Sequence, residues 1–102
     1  MQGTMSEATD DHTILAHCVE RASWHCTRAL ACVRQVQDPW ARRLTPVQHR
    51  ELRHAALQHV LKAHDLLLAV QHGDCNRQQR AIVASQLEQL DTVTAYVRRE
   101  LQ

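Results

Sequence analysis

Residues 49–64, HRELRHAALQHVLKAH, carry four histidines at intervals of five: His49, His54, His59 and His64. An imidazole side chain can ligate a metal ion or transfer a proton near neutral pH. A step of five residues turns an α-helix by about 140°, so successive histidines in this series point in different directions. One helix therefore cannot direct them all at one ion, and the series by itself predicts no metal site.

One pair within this segment has the spacing of metal ligands. Glu51 and His54 form a Glu-x-x-His sequence, which contributes two ligands to the di-iron sites of ferritin-like bundles. The stretches ERASWHCTR and ELRHAALQHVLK resemble the two helices of small ferritin-like proteins that dimerise to complete such a bundle. The resemblance implies a metal-binding function with Glu51 and His54 as candidate ligands, although Glu20 falls on the polar face of its predicted helix.

A second pattern resembles the Arg-x5-His motif of HEPN-type ribonucleases, which are all-helical and act as dimers. Arg43 precedes His49 by six residues, and Arg53 precedes His59 by the same interval. Such an enzyme would use histidine for proton transfer and arginine to bind a phosphate. Arg53 and His59 are about 240° apart on a helix, whereas Arg43 lies before a helix and His49 in its first turn. The resemblance would therefore place a ribonuclease site at Arg43 and His49.

The cysteines offer a further kind of chemistry. None of the four forms a Cys-x-x-Cys pair, the spacing typical of zinc knuckles and redox dithiols. Cys18, His25 and Cys32 recur every seven residues and therefore share one flank of a helix. We expect that flank to pack, half-buried, on a neighbouring element, with zinc or copper bound between subunits as the alternative.

The composition excludes several classes of function. Lysine and arginine number 12 against 11 aspartates and glutamates, for a net charge of +1, so no overall field favours nucleic acid or an anionic membrane. No apolar run approaches the ~18 residues of a membrane span. The first residues, MQGTMSEATDD, are polar and acidic, unlike a signal peptide. We expect a cytoplasmic protein with reduced cysteines.

Three helical stretches must position these residues. They are expected from about Asp11 to Gln37, from Pro46 to Gly73, and from Asp74 to about Leu101. Asp38-Pro39 ends the first, because the residue before a proline disfavours the α conformation. Thr45 is a favourable N-cap before Pro46. We expect Gly73 to end the second helix in the left-handed conformation and Asp74 to cap the third.

Apolar residues step by four and three along each helix, which is the pattern of a heptad seam. The seam positions are Leu15, Val19, Ala22, Cys26, Ala29, Val33 and Val36; Leu52, Ala56, Val60, Ala63, Leu67 and Val70; and Val83, Leu87, Leu90, Thr94, Val97 and Leu101. In the second helix, Leu57, Leu61 and Leu68 add a parallel stripe, so its apolar face could contact two neighbours. His64 falls between these stripes, and we expect it to be buried.

The seams and the short connection at residues 72–74 predict an all-α fold. We expect an antiparallel up-down-up bundle of three long helices, with a short helical turn in the first connector, DPWARRL, and completion of the bundle by dimerisation. Residues 1–10 are expected to form a disordered leader and residues 11–102 a single helical-bundle domain.

Some apolar side chains lie outside the seams, where they do not face the predicted core of the monomer. Trp24 falls opposite the seam of the first helix, and Ile82, Val93 and Tyr96 fall outside the seam of the third. Tryptophan is enriched among the residues that dominate protein interfaces. We therefore expect these four residues to bind a partner, and expect the loss of Trp24 to leave the stability of the monomer nearly unchanged.

The sequence as a whole predicts a histidine-rich, non-catalytic interaction module: a small cytoplasmic adaptor, regulator or chaperone-like protein. We expect a protein partner or a second copy, most simply in a homodimer, with no membrane or nucleic acid partner and no cofactor. The alternatives are a ferritin-like metal-binding bundle that uses Glu51 and His54, and a HEPN-like ribonuclease that uses Arg43 and His49.

Overall fold

The computed structural model describes residues 2–39, 43–73 and 75–102, with the side chains of the first helix described from Ile14 onward. The described residues form three helices: α1 (Gln2–Gln37), α2 (Pro46–His72) and α3 (Arg77–Glu100). All three pack against one another, and no strand occurs in these ranges. The predicted all-α class and the number of helices are confirmed. None of the described helices has the length and apolar character needed to cross a membrane.

The start of α1 differs from the prediction. The helix begins at Gln2 rather than near Asp11, so it includes nine of the ten residues that were expected to form a disordered leader. The division into a leader at residues 1–10 and one domain at residues 11–102 stays a prediction. The short helical turn expected in DPWARRL spans residues 40–42, which lie outside the described part of the chain.

Side chains that mimic backbone partners fix the first turns of α2 and α3. The Thr45 hydroxyl accepts a hydrogen bond from the Gln48 amide at 3.1 Å, and the Gln48 side chain accepts one from the Thr45 amide at 2.9 Å. Asn76 and Gln79 repeat this reciprocal arrangement at the start of α3. Each pair satisfies two backbone donors that a helix otherwise leaves open. The expectation that Asp74 caps α3 was wrong in position: Asn76 is the cap, and Asp74 itself lies outside the described residues.

The end of α2 also differs from the expected geometry. Gly73 has φ −83° and ψ −173°, which is extended backbone rather than the left-handed conformation. The Val70 carbonyl at this end accepts a hydrogen bond from the Gly73 amide at 3.1 Å and one from the Cys75 thiol at 2.8 Å. These two donors satisfy a terminal carbonyl, so the helix needs no left-handed residue to end it.

The predicted seams form the core. The fully buried apolar residues are Leu15, Ala22, Ala29, Val33, Ala56, Val60, Ala63, Leu67, Val83, Leu90, Val97 and Leu101, and every one of them is a predicted seam position. The remaining seam residues are half-buried at the margins of this core. A step of four and three keeps each seam on one side of its helix, which is why the three seams meet.

The second apolar stripe of α2 is less well covered than expected. Leu61 is 51% exposed, and Leu57 and Leu68 are only half-buried. His64 is half-buried as well, so the expectation that it lies in the core was wrong. It borders an open groove between α2 and α3 instead, with Thr94 on the opposite wall. Leu57 and Leu61 line the same open groove, so the packing of α1 and α3 against α2 leaves this stripe only partly covered.

Candidate functional site

Trp24 lies on the outer surface of α1 and is 51% exposed, as its position opposite the seam predicts. The covered part of the indole contacts two histidine rings edge-on. Its ring centroid is 4.9 Å from that of His25 and 5.7 Å from that of His59 on α2. The Arg28 guanidinium lies 5.7 Å from the centre of the indole ring, within the range of a cation–π interaction. Trp24 is therefore held in place while half of its surface faces solvent.

The two histidines beside Trp24 join α1 to α2. The Nδ1 atoms of His25 and His59 are 2.9 Å apart, and the ring centroids are 5.2 Å apart with the planes tilted by 37°. A hydrogen bond at this distance requires one Nδ1 to carry a proton and the other to present a lone pair. His25 is 5% exposed and His59 is half-buried. The pair is therefore a buried polar link that holds only while at least one ring is neutral.

The surroundings of the pair keep both rings neutral. Burial is the largest effect that lowers the pKa of His25 below 6.5, and the charges of His59, Arg21 and Lys62 lower it further. Burial also lowers the pKa of His59, with Arg28 and Lys62 acting in the same direction. Both shifts favour the neutral imidazoles, so the pair adds no positive charge of its own near neutral pH.

Basic side chains lie beside Trp24 and the histidine pair. Arg21 and Lys62 line a shallow groove between α1 and α2 with His25, Asp65, Leu66 and Ala69, and Arg28 lies over the indole. We call this region the Trp24 surface, and define it by Trp24, His25, His59, Arg21, Arg28 and Lys62. It combines one large aromatic side chain with three cations that reach it from two helices.

The other predicted partner-binding residues do not join the Trp24 surface. Val93 and Tyr96 are half-buried and line a groove between α1 and α3 with Leu30. Tyr96 accepts a hydrogen bond at its hydroxyl from the Gln37 side chain at 3.2 Å. Ile82 is 43% exposed and lies eleven residues before Val93, about 16 Å along α3. The chain thus presents two separate surfaces where the sequence suggested one set of residues.

Glu51 and His54, the candidate metal ligands, are not part of a larger cluster of potential ligands in the described residues. Glu51 and His54 are both exposed and border a shallow groove near the start of α2 with Val47 and Arg50. No group of three or more His, Cys, Asp or Glu side chains that could hold a metal ion occurs among the described residues. Stable protein metal sites generally use three or four protein ligands, so this pair alone is a weak basis for a resident metal.

The remaining sequence patterns fall in different places. Arg43 is exposed and His49 is half-buried at the start of α2, while His59 of the second Arg-x5-His pair turns toward His25. Cys18 and Cys32 are half-buried free thiols, as expected for their flank. His25 of the same column is fully buried, because α2 covers it.

Sequence reasoning missed the pairing of His25 with His59. Its signal is present: each histidine follows a buried alanine by three residues and precedes another by four, as in A-x-x-H-x-x-x-A. Three- and four-residue steps lie on one helix face, so both histidines border the alanine-lined contact of α1 with α2. His59 lies at the edge of the apolar face of α2, and that edge is where α1 packs.

No family model, curated protein or solved structure matches this chain.

Proposed function

We propose that this chain is a non-catalytic protein-interaction module, a small adaptor, regulator or chaperone-like bundle that holds its partner at the Trp24 surface. The observation that carries the proposal is the half-exposed indole, fixed by His25, His59 and Arg28. Tryptophan and arginine are the residue types most enriched among the dominant contacts of protein interfaces. An anchor that is already fixed loses little conformational freedom on binding, which favours affinity.

The proposed framework is an antiparallel up-down-up bundle. Three contacts support this arrangement: Leu15 shares a groove with Val70, His25 bonds to His59, and Gln37 donates a hydrogen bond to Glu100 at 3.1 Å. The first two contacts mean that later residues of α1 meet earlier residues of α2. The third joins the C-terminal ends of α1 and α3, as expected when those two helices run in the same direction.

A homodimer is part of the same proposal, and it uses the face of α3 that carries Ile82, Val93 and Tyr96. These residues lie within about 60° of one another around that helix, and Ile82 is 43% exposed. We place self-association there because these apolar side chains lie outside the core seam of α3, whereas the Trp24 surface is charged. A cytoplasmic location accords with the four free cysteines, since disulfides persist mainly in oxidising compartments.

Affinity capture with the wild type and two variants tests the binding role of Trp24. Protein from the source cells is passed over immobilised wild type, Trp24→Ala and Val47→Ala. Val47 is a matched control because it is 53% exposed and borders a different groove. We expect a protein that wild type and Val47→Ala retain and that Trp24→Ala loses. Identical retention by all three would show that Trp24 binds no partner.

Light scattering during size exclusion tests the dimer. We expect the mass of two chains for the wild type and of one chain for Ile82→Glu, because a charge within an apolar contact is costly to bury. A single-chain mass for the wild type at micromolar concentration would remove the homodimer from the proposal and leave the role of Trp24 intact.

A further inference from the structure

The three cations of the Trp24 surface have no ion-pair partner in the described part of the chain. Arg21, Arg28 and Lys62 are all exposed, and the salt bridge found within the described ranges joins Arg99 to Glu100. Each cation nevertheless lies close enough to the histidine pair to lower a pKa there. Their charges are therefore concentrated at one place, and none of them forms an ion pair with a carboxylate among the described residues.

Two acidic side chains lie near this cluster and reduce its charge only in part. Asp65 borders the same groove as Arg21 and Lys62. Glu20 is exposed and precedes Trp24 by four residues, so it is turned about 40° away from the α2 side of the indole. On the α2 side, three cations therefore stand against the single carboxylate of Asp65, and the field there attracts negative charge.

From this arrangement we infer that the Trp24 surface recognises an acidic segment of a partner protein. One or more carboxylates of the segment lie among Arg21, Arg28 and Lys62, and an apolar side chain beside them covers the exposed face of Trp24. The inference rests on the proposed function and specifies the chemistry of the partner. Complementary charge at the margin of an interface speeds association and selects against partners of like charge.

An acidic protein segment fits this surface better than a nucleic acid does. Single-stranded nucleic acid binds along a basic track with several aromatic side chains for successive bases, whereas Trp24 is a single platform. The whole chain carries a net charge of only +1, so the positive field is local. Leu66 and Ala69 continue the groove as an apolar floor, which suits the side chains of a peptide.

Selection from a random library of displayed 12-residue peptides tests the chemistry of the partner even though the sequence of the natural segment is not specified. The library is selected for binding to three immobilised proteins: wild type, Trp24→Ala, and a triple variant with Arg21, Arg28 and Lys62 changed to glutamate. The matched control changes Arg50, Arg53 and Arg80 to glutamate, since these exposed residues lie elsewhere and the change in net charge is the same. A pool of random RNA is offered to the same proteins in parallel.

We expect wild type and the matched control to enrich peptides that combine aspartate or glutamate with an apolar residue. The triple variant should lose these peptides and favour basic ones. Peptides recovered on wild type should bind more weakly by up to about fivefold for each single cation changed to glutamine, the upper end of the range for an exposed ion pair. Their affinity should also fall as salt is added.

The outcomes separate this inference from the proposed function. Peptides that are lost on Trp24→Ala but carry no acidic bias would overturn the acidic partner and leave the interaction module standing. Enrichment of RNA by wild type, lost in the triple variant, would replace the protein partner with a nucleic acid. If Trp24→Ala abolishes the enrichment of no ligand that wild type enriches, both the acidic partner and the proposed function are overturned. Circular dichroism of every variant confirms that it is folded before its selection counts.

Discussion

Replacement of Trp24 by alanine should destabilise the monomer, in contrast to the expectation from the sequence alone. Trp24 is 51% exposed, so about half of a side chain that can bury roughly 200 Å² is covered. At about 25 cal/mol per Å² the covered half contributes up to ~2.5 kcal/mol, and cover from its own helix makes this an upper value. We expect Trp24→Ala to lower the free energy of unfolding by about 2 kcal/mol, or the melting temperature by roughly 10 °C.

Urea denaturation followed by circular dichroism at pH 7.5 measures this loss. Val47→Ala is the control, because Val47 is 53% exposed and should cost well under 1 kcal/mol, as most surface substitutions do. A double-mutant cycle of Trp24→Ala with His59→Ala isolates the edge-on ring contact at 5.7 Å between centroids. We expect a coupling free energy of about 0.5–1.5 kcal/mol.

Two results would refute this reasoning about Trp24. A loss below about 0.5 kcal/mol, the size of an ordinary surface change, would mean that the indole does not contact the histidine pair and is free in solution. A loss above about 4 kcal/mol, the upper range for truncating a core aromatic, would mean that Trp24 is core. In that case its loss could not serve to test binding.

The histidine pair should make the protein sensitive to acid. The pKa values of His25 and His59 lie below 6.5 in the folded state, so the unfolded chain takes up protons first as the pH falls. The free energy of unfolding should therefore be full above pH 6.5, decrease below it and level off once the folded pKa values are passed. Urea midpoints between pH 8 and pH 5 should show this fall, and it should be smaller when both residues are glutamine; an unchanged profile would contradict the pairing. Leu67 is 1% exposed, and Leu67→Ala should lower the free energy of unfolding by about 2–5 kcal/mol in the same assay. Leu61→Ala should cost less than half as much because Leu61 is half exposed, and equal losses would contradict the assigned register of α2. Burial raises the pKa of the Cys26 thiol, whereas at Cys32 the same effect is opposed by the charge of Arg28. Cys26 should therefore be the slowest cysteine to react with iodoacetamide in the native protein, as measured by peptide mass spectrometry; early labelling of Cys26 would show that the thiol is not covered.

The sequence predicts the helices and their buried faces well because both depend on local periodicity. Every fully buried apolar residue is a seam position, since a four-and-three repeat can turn only one side of a helix toward its neighbours. Helix ends are less predictable because several nearby residues can cap. Asn76 prevails over the expected Asp74 because Gln79 follows it at the spacing that allows both capping bonds.

The candidate site could be predicted only in part. The exposure of Trp24 follows from its angle to the seam on one helix. The contact of His25 with His59 depends on how far α1 slides along α2 and how each rotates, and a single helix pattern fixes neither quantity. His64 shows the converse error: its angle on α2 pointed toward apolar neighbours, but that side borders an open groove between α2 and α3.

Small side chains explain why the two imidazoles can meet at 2.9 Å. Ala22 and Ala29 lie one turn before and after His25, Ala56 and Ala63 do the same for His59, and all four alanines are fully buried. Interhelical distances range over about 8–10 Å according to the side chains at the contact, and alanine permits the lower end of that range. A larger residue at any of these positions would separate the helices and open the hydrogen bond between the rings. The rings in turn support the indole of Trp24, so the proposed binding surface depends on the alanines beneath it, although none of them can touch a partner.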